Sequence, residues 1–201
     1  ETAEGYLEVL ERQSNRLKKL IEDLIEASKA STGNLAVHLE KLEAGVSVVQ
    51  IVGEFEDKLN AADLTLLIQK PETPVYVMAD GRHFWRVIDN LMNNICKYAQ
   101  PGTRVYVDLR ENGGQVELIF RNTSRYPLNI SSEELMERFV RGDESRNTEG
   151  SGLGISIAKS LMELMGGSFM LYVDGDLFKV VLGFAQMEEE KEPLDEDKSG
   201  K

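Results

Sequence analysis

The chain has a single cysteine, Cys96, in 201 residues. One thiol excludes an internal disulfide and leaves too few ligands for a structural zinc site, which fits a reducing compartment; Cys96 reads as an inert helix residue. Long apolar runs are also missing. None approaches the roughly 18 residues that a membrane-crossing helix needs, so this sequence is not expected to span a bilayer. Neither an initiator methionine nor a signal-peptide pattern opens the chain, which therefore reads as a piece of something longer. Positive charge is scarce: 23 Lys and Arg face 35 Asp and Glu, for a net charge of −12. That balance argues against a nucleic-acid or anionic-membrane surface. It would also repel a nucleotide unless a cation and local donors intervened, so a phosphate ligand should bring a divalent metal. Histidine is limited to His38 and His83, both read as structural.

With 41% apolar residues, the chain can bury one domain core and carry an appendage. Residues 6–30 predict one helix, because Leu7, Leu10, Ser14, Leu17, Ile21, Leu24 and Ser28 recur at steps of three and four with charged flanks. Such a seam calls for a partner helix. Thr32-Gly33-Asn34 ends it. Leu35, Val37 and Leu39 alternate with polar neighbours and predict a strand, and Val48–Leu59 predicts a helix with Phe55 and Leu59 inward. Strands are expected at 64–69, 75–79, 103–109, 115–120, 169–173 and 177–184, with helices at 83–99 and 155–165. Residues 121–153 read as irregular apart from a short helix near 133–139. From Met187 onward seven acids accompany three lysines, the composition of a disordered, solvating tail. This order predicts an α/β sandwich, a mixed sheet with helices on one face, preceded by a long coiled-coil-type helix. The divisions are 1–32 for that helix, 33–186 for the domain and 187–201 for the tail.

Two features carry chemistry. In the helix at 83–99, Phe84, Ile88, Leu91, Ile95 and Tyr98 form the apolar stripe, while Asn90, Asn94 and Lys97 fall in one narrow sector beside it. Two amides and an ammonium in line look like a site. The stretch EGSGLG (149–154) then sets three glycines directly before a helix, where a backbone can approach a ligand and the free first-turn N–H groups can meet an anion.

NLMNNICKYA (90–99), ERFVRGDESRN (137–147) and GSGLGISIAKSLMELMGG (150–167) resemble, in this order and spacing, the N, F and G2 boxes of bacterial sensor histidine kinases. The segment from Tyr6 to Gly33 is similar to the second helix of that family's dimerisation and histidine-phosphotransfer hairpin, so the resemblance runs from Tyr6 to Phe184. It implies the fold of the histidine kinase, gyrase and Hsp90 ATPases, with ATP and Mg2+ as ligands. Asn94 would be the magnesium ligand, since its amide oxygen suits a hard cation. Asn90 stands where related ATPases place a glutamate base; an amide cannot take that proton, which favours kinase over hydrolase. Lys97 would reach the phosphates and Tyr98 would lie against the base. Gly150, Gly152 and Gly154, with Leu153 among them, would line the triphosphate and hinge a lid at 141–149. Arg138 and Arg141 would contact phosphate or a neighbouring domain, or would be solvated surface arginines.

The chain departs from that pattern twice. The G1 box, DxGxG, is missing: its aspartate position falls on Asn122, fifteen residues before Glu137, and its glycine positions fall on Ser124 and Tyr126. An asparagine carbonyl can still accept a hydrogen bond from an adenine amino group, without charge assistance. Losing both glycines should stiffen the loop and could narrow the pocket. The second departure is the phosphoacceptor, which the family carries on the first hairpin helix, so this chain is not expected to phosphorylate itself. The resemblance further implies a homodimer through the hairpin, a response-regulator receiver domain as partner, and a cytoplasmic position in a membrane-anchored bacterial sensor. The alternative, motivated by the altered G1 box, is a degenerate nucleotide-binding domain acting as a dimerising scaffold or phosphatase-biased module.

Overall fold

The computed structural model describes residues 3–128, 131–141 and 153–187. Helix α1 (Ala3–Ser31) leads into β1 (Glu40–Glu43), α2 (Ala44–Gly53), α3 (Glu56–Ala61), β2 (Leu64–Gln69) and β3 (Tyr76–Ala79). Then follow α4 (Gly81–Tyr98), β4 (Thr103–Asn112), β5 (Gln115–Thr123), α5 (Ser132–Arg141), α6 (Gly154–Leu164), β6 (Ser168–Asp174) and β7 (Leu177–Ala185). Five strands form a sheet in the order β2-β4-β5-β7-β6, with β1 and β3 paired separately. Only β2 and β4 run parallel in the larger sheet. The mixed sheet with helices is the architecture that the order of sequence patterns predicts.

Period-two alternation decides what each strand buries. Val105, Val107 and Leu109 of β4, Val116, Leu118 and Phe120 of β5, and Phe178, Val180, Leu182 and Phe184 of β7 belong to one buried cluster. The same cluster holds Phe84, Ile88, Leu91 and Ile95 of α4 and Ile155, Ala158, Leu161 and Met162 of α6. Each of the larger of these side chains, fully buried, stabilises the fold by about 2 kcal/mol before entropy is counted. Phe84 and Phe184 meet with ring centroids 5.6 Å apart. In the alternate row of the sheet Tyr106, Glu117, Arg121 and Lys179 remain partly exposed, while Ile119 and Val181 are buried. Asp108 is buried in that row and is paired with Arg121 and with Arg110 at 3.2 Å.

Three local expectations are corrected. Residues 35–39 form no strand, because their backbone groups are taken by the start of α4: Asp80 Oδ2 accepts from His38 N–H at 2.9 Å and His83 Nε2 donates to Ala36 O at 3.0 Å. The edge of β3 pairs instead with Glu40–Glu43. The helix expected at 48–59 starts earlier, capped by the Glu43 carboxylate on Gly45 N and Val46 N, and is broken in two. Glu54 N bonds Ile51 O and Phe55 N bonds Val52 O, which tightens the turn while Phe55 and Leu59 both become buried as expected. Finally, β5 continues through Thr123, so Asn122 lies in a strand, paired with Phe178. The acidic stretch from 188 onward lies outside the described residues.

Helix α1 shows two different sides. Leu7, Leu17 and Leu24 of the seam are 64%, 58% and 60% exposed, whereas Asp23 and Ala30 are buried. Arg86 of α4 donates to Asp23 at 2.8 Å and to Glu26 at 3.0 Å, both on α1, and lies 3.3 Å from Asp89. Burial disfavours the guanidinium charge, but Glu26, Asp23 and Asp89 outweigh it and push the Arg86 pKa up. The helix then stops where Gly33 adopts φ 69°, a left-handed conformation natural to glycine after a helix end.

Asp80 caps α4 by accepting from Arg82 N and His83 N at 3.0 and 3.2 Å. Burial opposes its charge, but the N–H groups of His38, His83 and Arg82, with the His83 ring, hold the carboxyl below the ordinary 3.8. A depressed folded value means stability that is fully present above the unfolded pKa and lost as pH falls through the folded one. Asp80→Ala should therefore lower unfolding free energy by about 1–2 kcal/mol at pH 7, with the difference from the native chain shrinking below pH 3.8; urea titrations across pH 2.5–7 check this. Arg86→Met should cost about 2 kcal/mol or more by stripping the shared cation from buried carboxylates. Amide hydrogen exchange should show the loss concentrated in the second half of α1.

Candidate functional site

The site is built outward from α4. Once Phe84, Ile88, Leu91 and Ile95 are buried, the helical period leaves Asn90, Asn94 and Lys97 along the neighbouring sector, all partly buried. Asn90 Nδ2 is buried and has no hydrogen-bond partner among the described residues. The Asn94 side chain makes no hydrogen bond to any described residue. Asn93, next to it in sequence, behaves differently: it donates to Asp89 O and Oδ1 at 2.8 Å each and accepts from Lys58 at 3.1 Å. Of the three amides, one is spent on structure and two are left available. Lys97 forms no ion pair with the described residues, and its Nζ lies 4.8 Å from the Tyr98 ring centroid. Burial pushes the Cys96 thiol pKa up, which disfavours the reactive thiolate.

The start of α6 stands against this wall. A Cβ added at Gly154 would lie 3.1 Å from Asn90 Oδ1, so glycine lets the two helices close up at this point. Leu153 occupies the cap position with no side-chain cap, and no acidic residue sits in the first turn. A positive helix end without a carboxylate among the described residues is suited to an anion. Gly150, Gly152 and the segment 142–149 lie outside the described residues. Arg138 and Arg141 are in α5, and their side chains lie outside what is described.

Backbone bonds sew the other end of α4 to the end of β5. Ala99 bridges Ser124, Gln100 N donates to Thr123 O at 2.9 Å, and Arg125 N donates to Tyr98 O at 2.8 Å. This brings Asn122, 4% exposed and in the strand row that faces the helices, to the far end of the same wall. Its Nδ2 donates to Thr123 O at 3.2 Å, and its Oδ1 is buried without a partner among the described residues. The loop that follows is held by Ser124, whose N–H reaches Asp176 O at 2.7 Å and whose Oγ accepts from Tyr126 N at 3.3 Å. Among the described residues the one non-glycine with positive φ is Asp63. Ser124 and Tyr126 thus follow a path open to any L residue, and the missing glycines leave no left-handed strain. The roles of Thr123 O and Ser124 had no sequence signal, since both arise from strand pairing.

An unsatisfied buried polar atom costs roughly 1–3 kcal/mol. Here a donor is orphaned midway along α4 and an acceptor in β5 beside the C-terminal end of that helix, with an amide and an ammonium between them that have no hydrogen-bond or ion-pair partner among the described residues. A ligand able to repay all of these has an anionic end toward Lys97 and α6 and a hydrogen-bond donor toward Asn122.

Comparison with known proteins gives the relationship. Residues 79–193 match the family model for histidine kinase-, DNA gyrase B-, and HSP90-like ATPases. The sensor protein IrlS of Burkholderia pseudomallei is 27% identical over 173 residues, 83% of this chain and 36% of that protein. The chain therefore spans little more than a third of that relative. Among solved structures, full-length ShkA in complex with AMPPNP superposes with a TM-score of 0.76 at 18% identity, over 94% of this chain and 40% of that one. The histidine kinase ThkA, in complex with the response regulator protein TrrA, gives 0.67 at 15% identity, over 95% of this chain and 53% of that one. The match of more than half of its length, on the sheet and helices that carry the site, means that the chain belongs to the histidine kinase-, DNA gyrase B-, and HSP90-like ATPase family.

Proposed function

We propose that this domain binds Mg-ATP between α4 and the start of α6 and acts as the catalytic domain of a sensor histidine kinase. Its γ-phosphoryl group passes to a histidine of the intact protein and then to an aspartate of a response-regulator receiver domain. The observation that carries the reading is the pair of orphaned buried atoms, Asn90 Nδ2 midway along α4 and Asn122 Oδ1 beside the C-terminal end of that helix. The AMPPNP bound to ShkA and the TrrA bound to ThkA support the nucleotide and the partner respectively.

The donor set fits the metal. Among the described residues no three His, Cys, Asp or Glu side chains gather to hold a cation, so Asn94 would hold magnesium together with phosphate oxygens. When bound, the ion neutralises charge on the β- and γ-phosphates. Lys97 and the α6 N–H groups add fixed positive potential, which an acidic chain otherwise lacks. Asn90 positions and cannot accept a proton, so water is not activated there. Little covalent work is left to the protein, because phosphoryl transfer depends on alignment and charge neutralisation. Tyr98 lies against the base, Gly150, Gly152 and Gly154 line the triphosphate, and Arg138 and Arg141 are phosphate or interdomain contacts. The exposed seam of α1 supports homodimerisation through a hairpin, and we place the domain on the cytoplasmic side of a membrane-anchored protein. No helix among the described residues is itself long and apolar enough to cross a membrane.

The scaffold alternative is motivated by the altered G1 box, and the unstrained loop at Ser124 and Tyr126 favours binding over it. A fluorescent ATP analogue with magnesium should bind, and Asn94→Ala should weaken that binding at least tenfold, about 1.4 kcal/mol; an unchanged titration overturns the site. Mg-ATP at a hundred times its Kd should stabilise the chain by about 2.7 kcal/mol in thermal unfolding, and a flat response selects the scaffold. Steady-state phosphate release should stay at background, as expected without a carboxylate base at position 90.

A further inference from the structure

We infer that β6 is an interface for a second copy of this chain: the open edge of the sheet pairs with itself, antiparallel about Leu171, and joins two five-stranded sheets into one. This stands independently of the nucleotide site. Strand β6 is bonded to β7 on one side and to no strand among the described residues on the other. Asp174 and Leu177 flank a two-residue turn in which Gly175 has φ 56°. They therefore exchange both hydrogen bonds, as do Tyr172 with Lys179 and Met170 with Val181, because such pairs alternate along an antiparallel ladder. Phe169, Leu171 and Val173 then turn their N–H and C=O groups outward, where no described residue bonds to them. Helix α5 meets β6 from the core side, where Leu135 is buried, and bonds to none of these groups.

Exposed edges are normally blunted by lysine, proline, a bulge or a very short strand. Strand β6 has seven residues in unbroken register, and Asp174 at its end is the one charged residue in it. An edge of this kind invites a strand. Turned about Leu171, the whole of β6 overlaps a second copy of itself. Phe169 then faces the partner's Val173, Met170 faces the partner's Tyr172, and Asp174 faces the partner's Ser168. No like charges meet in this register, which matters in a chain of net charge −12. Phe169 and Val173 point to the core side yet are only partly buried, and each covers the other across the contact. Met170 and Tyr172 are 40% and 46% exposed and already touch, Tyr172 Oη donating to Met170 Sδ at 3.4 Å. Pairing gives each sulfur a second aromatic ring and each aromatic an aliphatic or thioether neighbour, both favourable cross-strand contacts.

Sedimentation equilibrium tests this in a Leu17→Glu/Leu24→Glu background, which removes the exposed α1 seam as a competing contact. That chain should form a dimer whose fraction rises with concentration. Met170→Glu/Tyr172→Glu should weaken the dimer by about tenfold or more, because glutamates then face each other in the closest pairs across the contact. Met170→Lys/Tyr172→Glu should restore it, since lysine now faces the partner's glutamate; within one chain the new glutamate has Lys179 opposite it in both variants. A seam variant that is monomeric at every concentration, or a dimer indifferent to both changes, overturns the inference. So does a lysine–glutamate variant as dissociated as the glutamate pair. Amide hydrogen exchange on the native chain needs no substitution and decides the matter should the variants fold poorly. Protection of Phe169, Leu171 and Val173 should rise with concentration, while Met170 and Tyr172, bonded to β7, stay protected throughout; protection that is independent of concentration at the first three overturns the inference likewise.

Discussion

Helix α4 can bury only one side of itself. Its stripe of Phe84, Ile88, Leu91 and Ile95 disappears into the cluster shared with the sheet and α6, and that burial sets the rotation of the whole helix. Asn90, Asn94 and Lys97 are then carried to the rim of the core, half-removed from water, with Asn90 Nδ2 and the Asn94 and Lys97 side chains left without hydrogen-bond or ion-pair partners among the described residues. Asp80 fixes where the helix begins, and the bridge from Ala99 to Ser124 fixes where it ends. With both ends held, the amides sit at set heights between the start of α6 and the end of β5. The site is thus the part of α4 that the core leaves over.

Electrostatics explains why such a wall is needed. A chain with net charge −12 presents an unfavourable long-range field to a polyphosphate. In the proposed site local features overcome it: Lys97, without an ion pair among the described residues, the start of α6, whose first turn holds no acidic residue, and an amide proposed to share a metal with the ligand. These act at short range, where screening by salt is weak. In the proposed site the same logic accommodates a neutral Asn122. Purine recognition depends on shape and hydrogen-bond polarity, and a carbonyl oxygen in a buried position keeps the acceptor polarity of a carboxylate with roughly half its strength toward an amino group.

Helix α1 links this site to whatever lies on its seam. Its buried side is fastened to α4 by Arg86, one turn before Asn90, and its exposed side carries a row of leucines. Movement of α1 relative to α4 would have to break an arginine shared by Asp23, Glu26 and Asp89. Such a multi-carboxylate contact is stiff compared with a single surface ion pair.

Much of this was legible in the residues alone. Strand alternation and helical period gave the order of elements, the apolar stripe of α4 and the sector of two amides and a lysine, because those depend on neighbours within one or two turns. Asn93 shows the limit: its composition matches Asn90 and Asn94, and only its packing beside Asp89 and Lys58 reveals that it is spent. Residues 35–39 alternate like a strand yet are claimed by Asp80 and His83, more than forty positions away. Asn122 was found by spacing, but its place in β5, its bond to Thr123 O and its orphaned oxygen come from pairing with β7 and from the end of α4. Sequence by itself determined which groups were available and on which face of each element. Tertiary structure decided which of them found partners within the protein, because hydrogen bonds between distant segments depend on how elements pack and not on what any one of them contains.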